Sequence, residues 1–365
     1  MNVSIVLFTV SLLSAFNALS AASCGVLVRG SSAAMLTENQ VTELVEKSKV
    51  YQDKRNQEWS ERNKCLCCHT TLPYLLGRGL DANSKANFDK FKEVAALKVE
   101  DSEARPWYAA DDVGRNSKPT EAVLNAITLV MHDISSQTAL NPTTLKAMDR
   151  IFETLESDGR LHWLDFGLHP FESKNGELWG NSMALLAVEL AKKHSAYAPP
   201  AAKYARLKAY VISKKDQLKT QEMAVLLWAN AQGPTGRFLS AELSGFFTRQ
   251  IIQMQNRNGS FNQKAALGYG KTEENAYATA ISLIGLIKAG FGNHPAAHKA
   301  AKWLADNQET GNFLQMGGGT VLWNATSMNR NNSLLNNRFA SDYTTSYSAL
   351  ALSMYRTEIL ARTNQ

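Results

Sequence analysis

A short cysteine-rich segment holds the residues whose types and spacing are best suited to chemistry. Cys65, Cys67, Cys68 and His69 lie within five residues of one another. The order Cys65-x-x-Cys68-His69 is the spacing that attaches c-type haem. Two thiols at this separation can add to the two vinyl groups of a porphyrin, and the adjacent imidazole can then bind the iron. The spacing predicts one covalent haem c, attached at Cys65 and Cys68, with His69 as the iron ligand.

The segment 64–70 resembles the haem-attachment site of c-type cytochromes, and these few residues alone carry the resemblance. It implies a redox role, either electron transfer to a partner protein or haem-dependent oxidation of a small-molecule substrate. Three other interpretations stay open at this point. They are a zinc site built from Cys65, Cys67, Cys68 and His69, a redox-active dithiol, and a structural disulfide between Cys65 and Cys68.

The N-terminal segment has the composition of an export signal. Residues 1–22 contain no charged side chain, residues 3–13 are almost continuously apolar, and small residues follow them. This pattern predicts a secretory signal peptide over 1–22, and so a periplasmic or otherwise exported protein. Attachment to a membrane is the alternative, through an uncleaved signal or through a lipid on Cys24.

Composition and charge exclude several classes of protein. The chain has 365 residues, of which 44% are hydrophobic and 20% charged, as in ordinary globular proteins. The net charge of +6 is spread along the chain, with no basic run longer than two residues. A protein that binds nucleic acid concentrates its cations on one face, so no nucleic-acid partner is expected.

The elements that must position the cysteine segment are helices. Apolar residues recur at intervals of three and four, which is the helical period. The helices form pairs, and the second helix of each pair is apolar nearly all round, which is typical of an inner helix. The sequence predicts an all-α fold, an α/α toroid of about six outer–inner pairs, over a single domain 23–365. The predicted pairs are 37–62 with 71–78, 84–98 with 120–132, 143–156 with 180–193, 200–213 with 219–231, 239–255 with 275–289, and 295–307 with 343–360. Thr37 and Gln40 fit a capping box, which predicts that the first helix begins at Glu38.

Two turns share a pattern that supports this architecture. Residues 255–261 and 308–313 each place a Gln near a helix end, then a Gly, then a Phe. These turns resemble the repeats of squalene–hopene cyclases, in the terpenoid-cyclase and protein-prenyltransferase α/α-toroid superfamily. The resemblance implies the toroid fold. It does not carry over the cyclase activity, because the acidic motif is represented here by Asp111 and Asp112 alone.

The long connections mark one end of the predicted toroid as its functional end. Those leading from outer to inner helices are mostly long, and in an α/α toroid they gather at one mouth. His162, His169, Glu172 and Glu177 lie in them or just after them, but the spacing selects none as catalytic. A haem-free toroid enzyme (lyase, hydrolase or cyclase) or a ligand-binding protein, with a Cys65–Cys68 disulfide, is therefore the alternative function.

Overall fold

The structure is a computed structural model, and its described residues leave several segments aside. It describes residues 36–63, 65–79, 88–101, 115–195, 197–233, 237–264, 273–311, 320–323 and 334–361. The predicted signal peptide and Cys24 lie outside these residues, so the predictions of export and of anchoring stay predictions. No helix among the described residues is both long enough and apolar enough to cross a membrane.

Helices dominate the described part of the chain, as predicted. They are α1 Glu38–Arg62, α2 Thr71–Gly79, α3 Phe88–Glu100, α4 Ser117–Ser135, α5 Pro142–Glu153, α6 Gly176–Ser195, α7 Ala201–Ser213, α8 Thr220–Gln232, α9 Ala241–Gln253, α10 Ala276–Lys288, α11 Pro295–Asp306 and α12 Leu334–Tyr355, which continues as a π-helical turn, Arg356–Leu360. Two short antiparallel strands, β1 Glu309–Gly311 and β2 Thr320–Leu322, were not predicted.

The even-numbered helices form a closed ring. Each packs against the next, from α2 through α4, α6, α8 and α10 to α12, and α12 packs against α2. The odd-numbered helices pack outside them. The predicted α/α toroid of outer–inner pairs is therefore confirmed. Small residues allow the close packing of the inner helices, since a Cβ on Gly285 of α10 would lie 2.8 Å from the Cβ of Ala224 in α8.

The predicted start of the first helix is correct, whereas that of the last inner helix is not. The predicted capping box of α1 is present: the backbone N–H of Gln40 donates to the Thr37 hydroxyl oxygen at 3.3 Å, and the Gln40 side chain accepts from the Thr37 N–H at 2.9 Å. α1 begins at Glu38, as the capping box predicted. The last inner helix differs, because it begins at Leu334 and the prediction began it at 343.

The predicted glycine turn is present after α9. Gly259 has a φ of +96°, which L side chains rarely adopt, and a Cβ there would lie 2.5 Å from the carbonyl oxygen of Lys299 in α11. Gly159, after α5, has a φ of +90° and approaches Arg206 of α7 in the same way. This turn was not predicted. In the turns at Gly159 and Gly259 the glycine lets the loop lie directly on the next outer helix. The other predicted turn, 308–313, contains strand β1 at Glu309–Gly311, and residues 312 and 313 lie outside the described residues.

Candidate functional site

The loop 154–175 between α5 and α6 carries side chains into the centre of the ring. Leu168 and Glu172 exchange two backbone hydrogen bonds of 2.9 Å, so the loop forms a narrow hairpin. The Trp163 indole N–H donates to the Phe171 carbonyl oxygen at 2.9 Å and holds the end of that hairpin. Phe171 is fully buried and lies against five rings. These rings belong to His69, Trp179, Tyr277, Tyr343 and Tyr347.

The cysteine segment faces this hairpin from the start of α2. His69 has no exposed surface, and its ring lies 5.1 Å from the ring of Phe339 and 5.2 Å from that of Phe171. Its Nε2 lies 3.2 Å from the carbonyl oxygen of His169. Because a carbonyl oxygen only accepts, Nε2 carries a proton and donates. Burial lowers the pKa of His69, so the ring is neutral and Nδ1 bears a lone pair.

A buried ion pair anchors the same segment to the ring. Arg55 of α1 donates to both carboxylate oxygens of Asp342 in α12, at 2.9 and 3.0 Å. The hydroxyl of Tyr51 donates to Asp342 at 2.9 Å, and that of Thr70 donates at 2.8 Å. Thr70 follows His69 directly, so Asp342 ties the cysteine segment to the first and last helices.

The three cysteines of the segment are not joined by disulfides. The Cys65–Cys68 disulfide of the alternative prediction is therefore not formed in this structure. Cys65 is partly exposed, whereas Cys67 and Cys68 are buried. Burial, followed by the nearby Glu172 carboxylate, raises the pKa of both buried thiols.

Cys67, His69 and Glu172 meet at one point in the centre of the toroid, and we call them the central cluster. Their ligand atoms all lie within 4.8 Å of one another, and all three side chains are buried. The Nδ1 of His69 and the Oε1 of Glu172 lie 3.8 Å apart. Neither atom has a hydrogen-bond partner. A thiol, an imidazole and a carboxylate are ligands of transition-metal ions.

A second site is a polar cavity of about 600 Å³ at the N-terminal ends of α6 and α8, which we call the α6–α8 pocket. Its volume is in the range of small-molecule sites. It has four basic and three acidic side chains in its lining. They are Arg160, Lys174, Lys214, Lys219, Glu177, Asp216 and Glu222.

Glu222 is the buried acidic side chain of this pocket. It lies in the first turn of α8 and is only 3% exposed. Its carboxylate accepts from the backbone N–H of Lys219 at 2.7 Å and from the Gln221 amide at 2.6 Å. Burial raises the pKa of Glu222 to about 7 despite these bonds. A carboxyl group with such a pKa can donate a proton at neutral pH.

Glu177 supplies a second carboxyl group from the first turn of α6. It accepts a hydrogen bond of 2.7 Å from the hydroxyl of Tyr210 at the end of α7. Burial and then this hydrogen bond raise the pKa of Tyr210, so Tyr210 remains a donor to Glu177. The α6–α8 pocket thus combines Glu222 and Glu177 with a third carboxyl group, that of Asp216, and with four basic side chains.

The fold is similar to that of known enzymes. A solved structure of an unsaturated glucuronyl hydrolase from Streptococcus agalactiae matches with a TM-score of 0.57 at 10% identity, covering 88% of this chain and 92% of that one. A point mutant of the same enzyme matches with a TM-score of 0.55 at 10% identity, covering 89% and 93%. No family model and no curated protein sequence matches the chain. At this identity the likeness establishes the toroid fold alone.

The covalent haem predicted from Cys65, Cys68 and His69, and the redox role predicted with it, are wrong. The solved structures that share this fold are those of an unsaturated glucuronyl hydrolase, not of a cytochrome. The packing gives the physical reason. The Nε2 of His69 donates to a carbonyl oxygen and so has no lone pair for iron, and the rings of Phe171 and Phe339 pack against the imidazole. Cys68 is fully buried as well.

Sequence reasoning found some of the site and missed the rest. It placed Glu172 and Glu177 in or next to a long loop at the mouth, without a role for either. His162 lies elsewhere in the same loop, where its Nε2 accepts from Arg115 at 3.2 Å. Glu222 was missed, although an acidic residue in the first turn of an inner helix is a signal that the sequence contains.

Proposed function

We propose that this protein is a haem-free hydrolase that cleaves glycosides of acidic sugars in the α6–α8 pocket. The observation that carries the proposal is the buried carboxyl group of Glu222 in the lining of this pocket, since burial raises its pKa to about 7. Glycoside hydrolysis needs one carboxylic acid that can protonate the departing oxygen and a second carboxylate that assists water. Glu222 and Glu177 supply that pair.

The basic lining supports an anionic substrate. Lys174, Lys214 and Lys219 have no carboxylate within 4.0 Å among the described residues. Their amino groups are thus available to bind the carboxylate of a sugar acid. The enzymes of similar fold are named for the unsaturated glucuronyl group, which is a sugar acid. We therefore take unsaturated glucuronides as the first substrates to test.

The reaction assigned to the pocket is a general acid–base hydrolysis. Glu222 donates its proton to the glycosidic oxygen as the bond from that oxygen to the sugar breaks. Glu177 accepts a proton from a water molecule, whose oxygen forms the new bond to the sugar. The hydroxyl of Tyr210 donates to Glu177 and holds its carboxylate in place. Removing a general acid of this kind lowers the rate by about 100-fold to 10,000-fold.

The test is hydrolysis by the full chain of an unsaturated glucuronide, a saturated glucuronide and a neutral glucoside of the same alcohol. The proposal predicts release of reducing sugar from the acidic glycosides in preference to the neutral one. Glu222→Gln is expected to lose activity by at least about 100-fold, because glutamine keeps the shape but has no acidic proton to transfer. Glu177→Gln is expected to lose activity as well.

Glu46→Gln is the matched control, because Glu46 lies on the exposed face of α1 far along the chain from the pocket. It should keep the activity of the wild type. Thermal unfolding of each variant shows whether lost activity comes from lost structure. The proposal fails if the wild type hydrolyses no acidic glycoside, or if a folded Glu222→Gln variant is as active as the wild type.

A further inference from the structure

We propose that the central cluster of Cys67, His69 and Glu172 binds one divalent transition-metal ion, with Zn²⁺ as the ion that its ligands fit best. The site is independent of the proposed hydrolysis, because none of its residues lines the α6–α8 pocket. It differs from a zinc site within the cysteine segment alone, since one ligand comes from the loop before α6.

Two buried polar atoms of the central cluster have no hydrogen-bond partner, and this is the first observation that indicates a metal ion. Buried polar atoms almost always have hydrogen-bond partners. The Nδ1 of His69 and the Oε1 of Glu172 are both buried, face each other, and have none. Their separation of 3.8 Å is too long for a hydrogen bond. It is close to the distance of ~3.4 Å between two ligand atoms that each lie ~2.0–2.1 Å from one tetrahedral ion. An ion between them would satisfy both atoms.

The protonation of His69 fits a metal ligand. Its Nε2 donates to the carbonyl oxygen of His169, so the other nitrogen presents a lone pair. Histidine ligands commonly donate their second N–H to a carbonyl oxygen in this way, which fixes the ring orientation and the tautomer.

The third ligand atom determines the class of metal. The Sγ of Cys67 lies within 4.8 Å of the ligand atoms of His69 and Glu172. One sulfur, one nitrogen and one oxygen are ligands that suit Zn²⁺, whereas Mg²⁺ and Ca²⁺ prefer oxygen alone. The ion would join the cysteine segment to the hairpin of the loop before α6. These two segments lie about a hundred residues apart in the sequence.

The test uses the full-length chain stripped with a chelator and then titrated with Zn²⁺ or Co²⁺ alone. The wild type is expected to take up one equivalent of either ion and to unfold at a higher temperature with it. Bound Co²⁺ should show a thiolate charge-transfer band, which Cys67→Ser removes. Cys67→Ser and Glu172→Gln should each weaken Zn²⁺ binding by at least about 10-fold.

Cys65→Ser is the matched control, because Cys65 lies in the same segment but outside the cluster. It should keep the stoichiometry, the affinity and the Co²⁺ band. X-ray absorption of the zinc-loaded wild type provides a test that needs no variant, and it should show one sulfur neighbour with nitrogen and oxygen neighbours. The proposal is overturned if the wild type binds neither ion, if zinc has no sulfur neighbour, or if Cys65→Ser alone abolishes binding.

Discussion

Burial decides the chemistry of individual residues in this protein. Glu222 and Glu46 are the same residue type, but Glu222 is 3% exposed at an inner helix start and Glu46 is exposed on α1. A carboxyl group that is buried away from water holds its proton to a higher pH, because burial disfavours the charged form. This raises the pKa of Glu222 from 4.5 to about 7, even though two hydrogen bonds favour its charged form. The raised pKa suits Glu222 to donating a proton.

The same pKa shift predicts how stability depends on pH. The folded-state pKa of Glu222 lies above its unfolded value, so its protonation stabilises the folded state fully below pH 4.5. That stabilisation is lost as the pH rises through about 7. Glu222→Gln removes the titration. Between about pH 5 and about pH 8, the free energy of unfolding should therefore fall in both proteins. The fall in Glu222→Gln should be smaller than that in the wild type by up to about 3 kcal/mol.

Urea unfolding at a series of pH values measures this difference. Glu46→Gln serves as the control and should follow the wild type at each pH. Equal loss of stability with rising pH in Glu222→Gln and the wild type would show that Glu222 does not hold a proton near neutrality.

At the scale of the elements, glycine turns set how loops lie on the outer helices. Gly159 and Gly259 both have positive φ angles, and each approaches a carbonyl oxygen of the next outer helix. The backbone N–H of Phe261, two residues after Gly259, donates to the hydroxyl of Thr279 at 2.9 Å. The turn therefore positions an inner helix as well as the outer helix on which it lies.

Gly259→Ala is expected to lower the free energy of unfolding by about 1–3 kcal/mol, because φ is positive and the Cβ would clash with Lys299. Gly290→Ala separates the two causes, since Gly290 has a φ of +87° but no atom within 4 Å of its Cβ position. It should be the milder change. Gly245→Ala, within α9, should raise stability by about 0.5–1 kcal/mol.

Urea unfolding of the three glycine variants provides the comparison. A Gly259→Ala variant as stable as the wild type would mean that the loop moves away from α11 without cost. A Gly290→Ala variant that loses as much stability as Gly259→Ala would assign the effect to φ alone.

The whole molecule is organised around its closed ring of inner helices. Closure leaves a central space, and the loop before α6 fills it with Phe171. The phenyl ring of Phe171 contacts side chains from the cysteine segment, α6, α10 and α12. Phe171 therefore joins parts of the chain that are far apart in the sequence.

Phe171→Ala should destabilise the whole toroid by about 3–5 kcal/mol, because it opens a cavity where four parts of the chain meet. Phe291→Ala is the control, since Phe291 is 42% exposed, and its stability should stay close to that of the wild type. Both are measured by urea unfolding. A small effect for Phe171→Ala would show that the centre of the ring tolerates an unfilled space.

Several local features of this fold could be predicted from the sequence. The period of apolar residues identified the helices, and the apolar second helix of each pair identified the inner ring. The start of α1 at Glu38 followed from Thr37 and Gln40, because a capping box is a contact between near neighbours. The start of α12 did not follow, and neither did the turn at Gly159, whose Gln and Phe positions are occupied by other residues.

The candidate sites depended on contacts that no spacing reveals. Cys65-x-x-Cys68-His69 matches the haem motif in sequence, but the motif does not specify whether the imidazole is open or enclosed by Phe171 and Phe339. That depends on residues about 100 and 270 positions away. The α6–α8 pocket likewise forms only where α6, α7 and α8 meet.

The sequence by itself determined the all-α class, the outer–inner pairing and the toroid, because these follow from periodicity and from interactions between near neighbours. Only the tertiary structure decided which side chains are buried together. It brought Glu172 to Cys67 and His69, and it buried Glu222 in a pocket lined by both acidic and basic side chains. The physical reason is that protonation, metal binding and access to a cofactor depend on desolvation and on neighbours in space, which the closure of the ring sets.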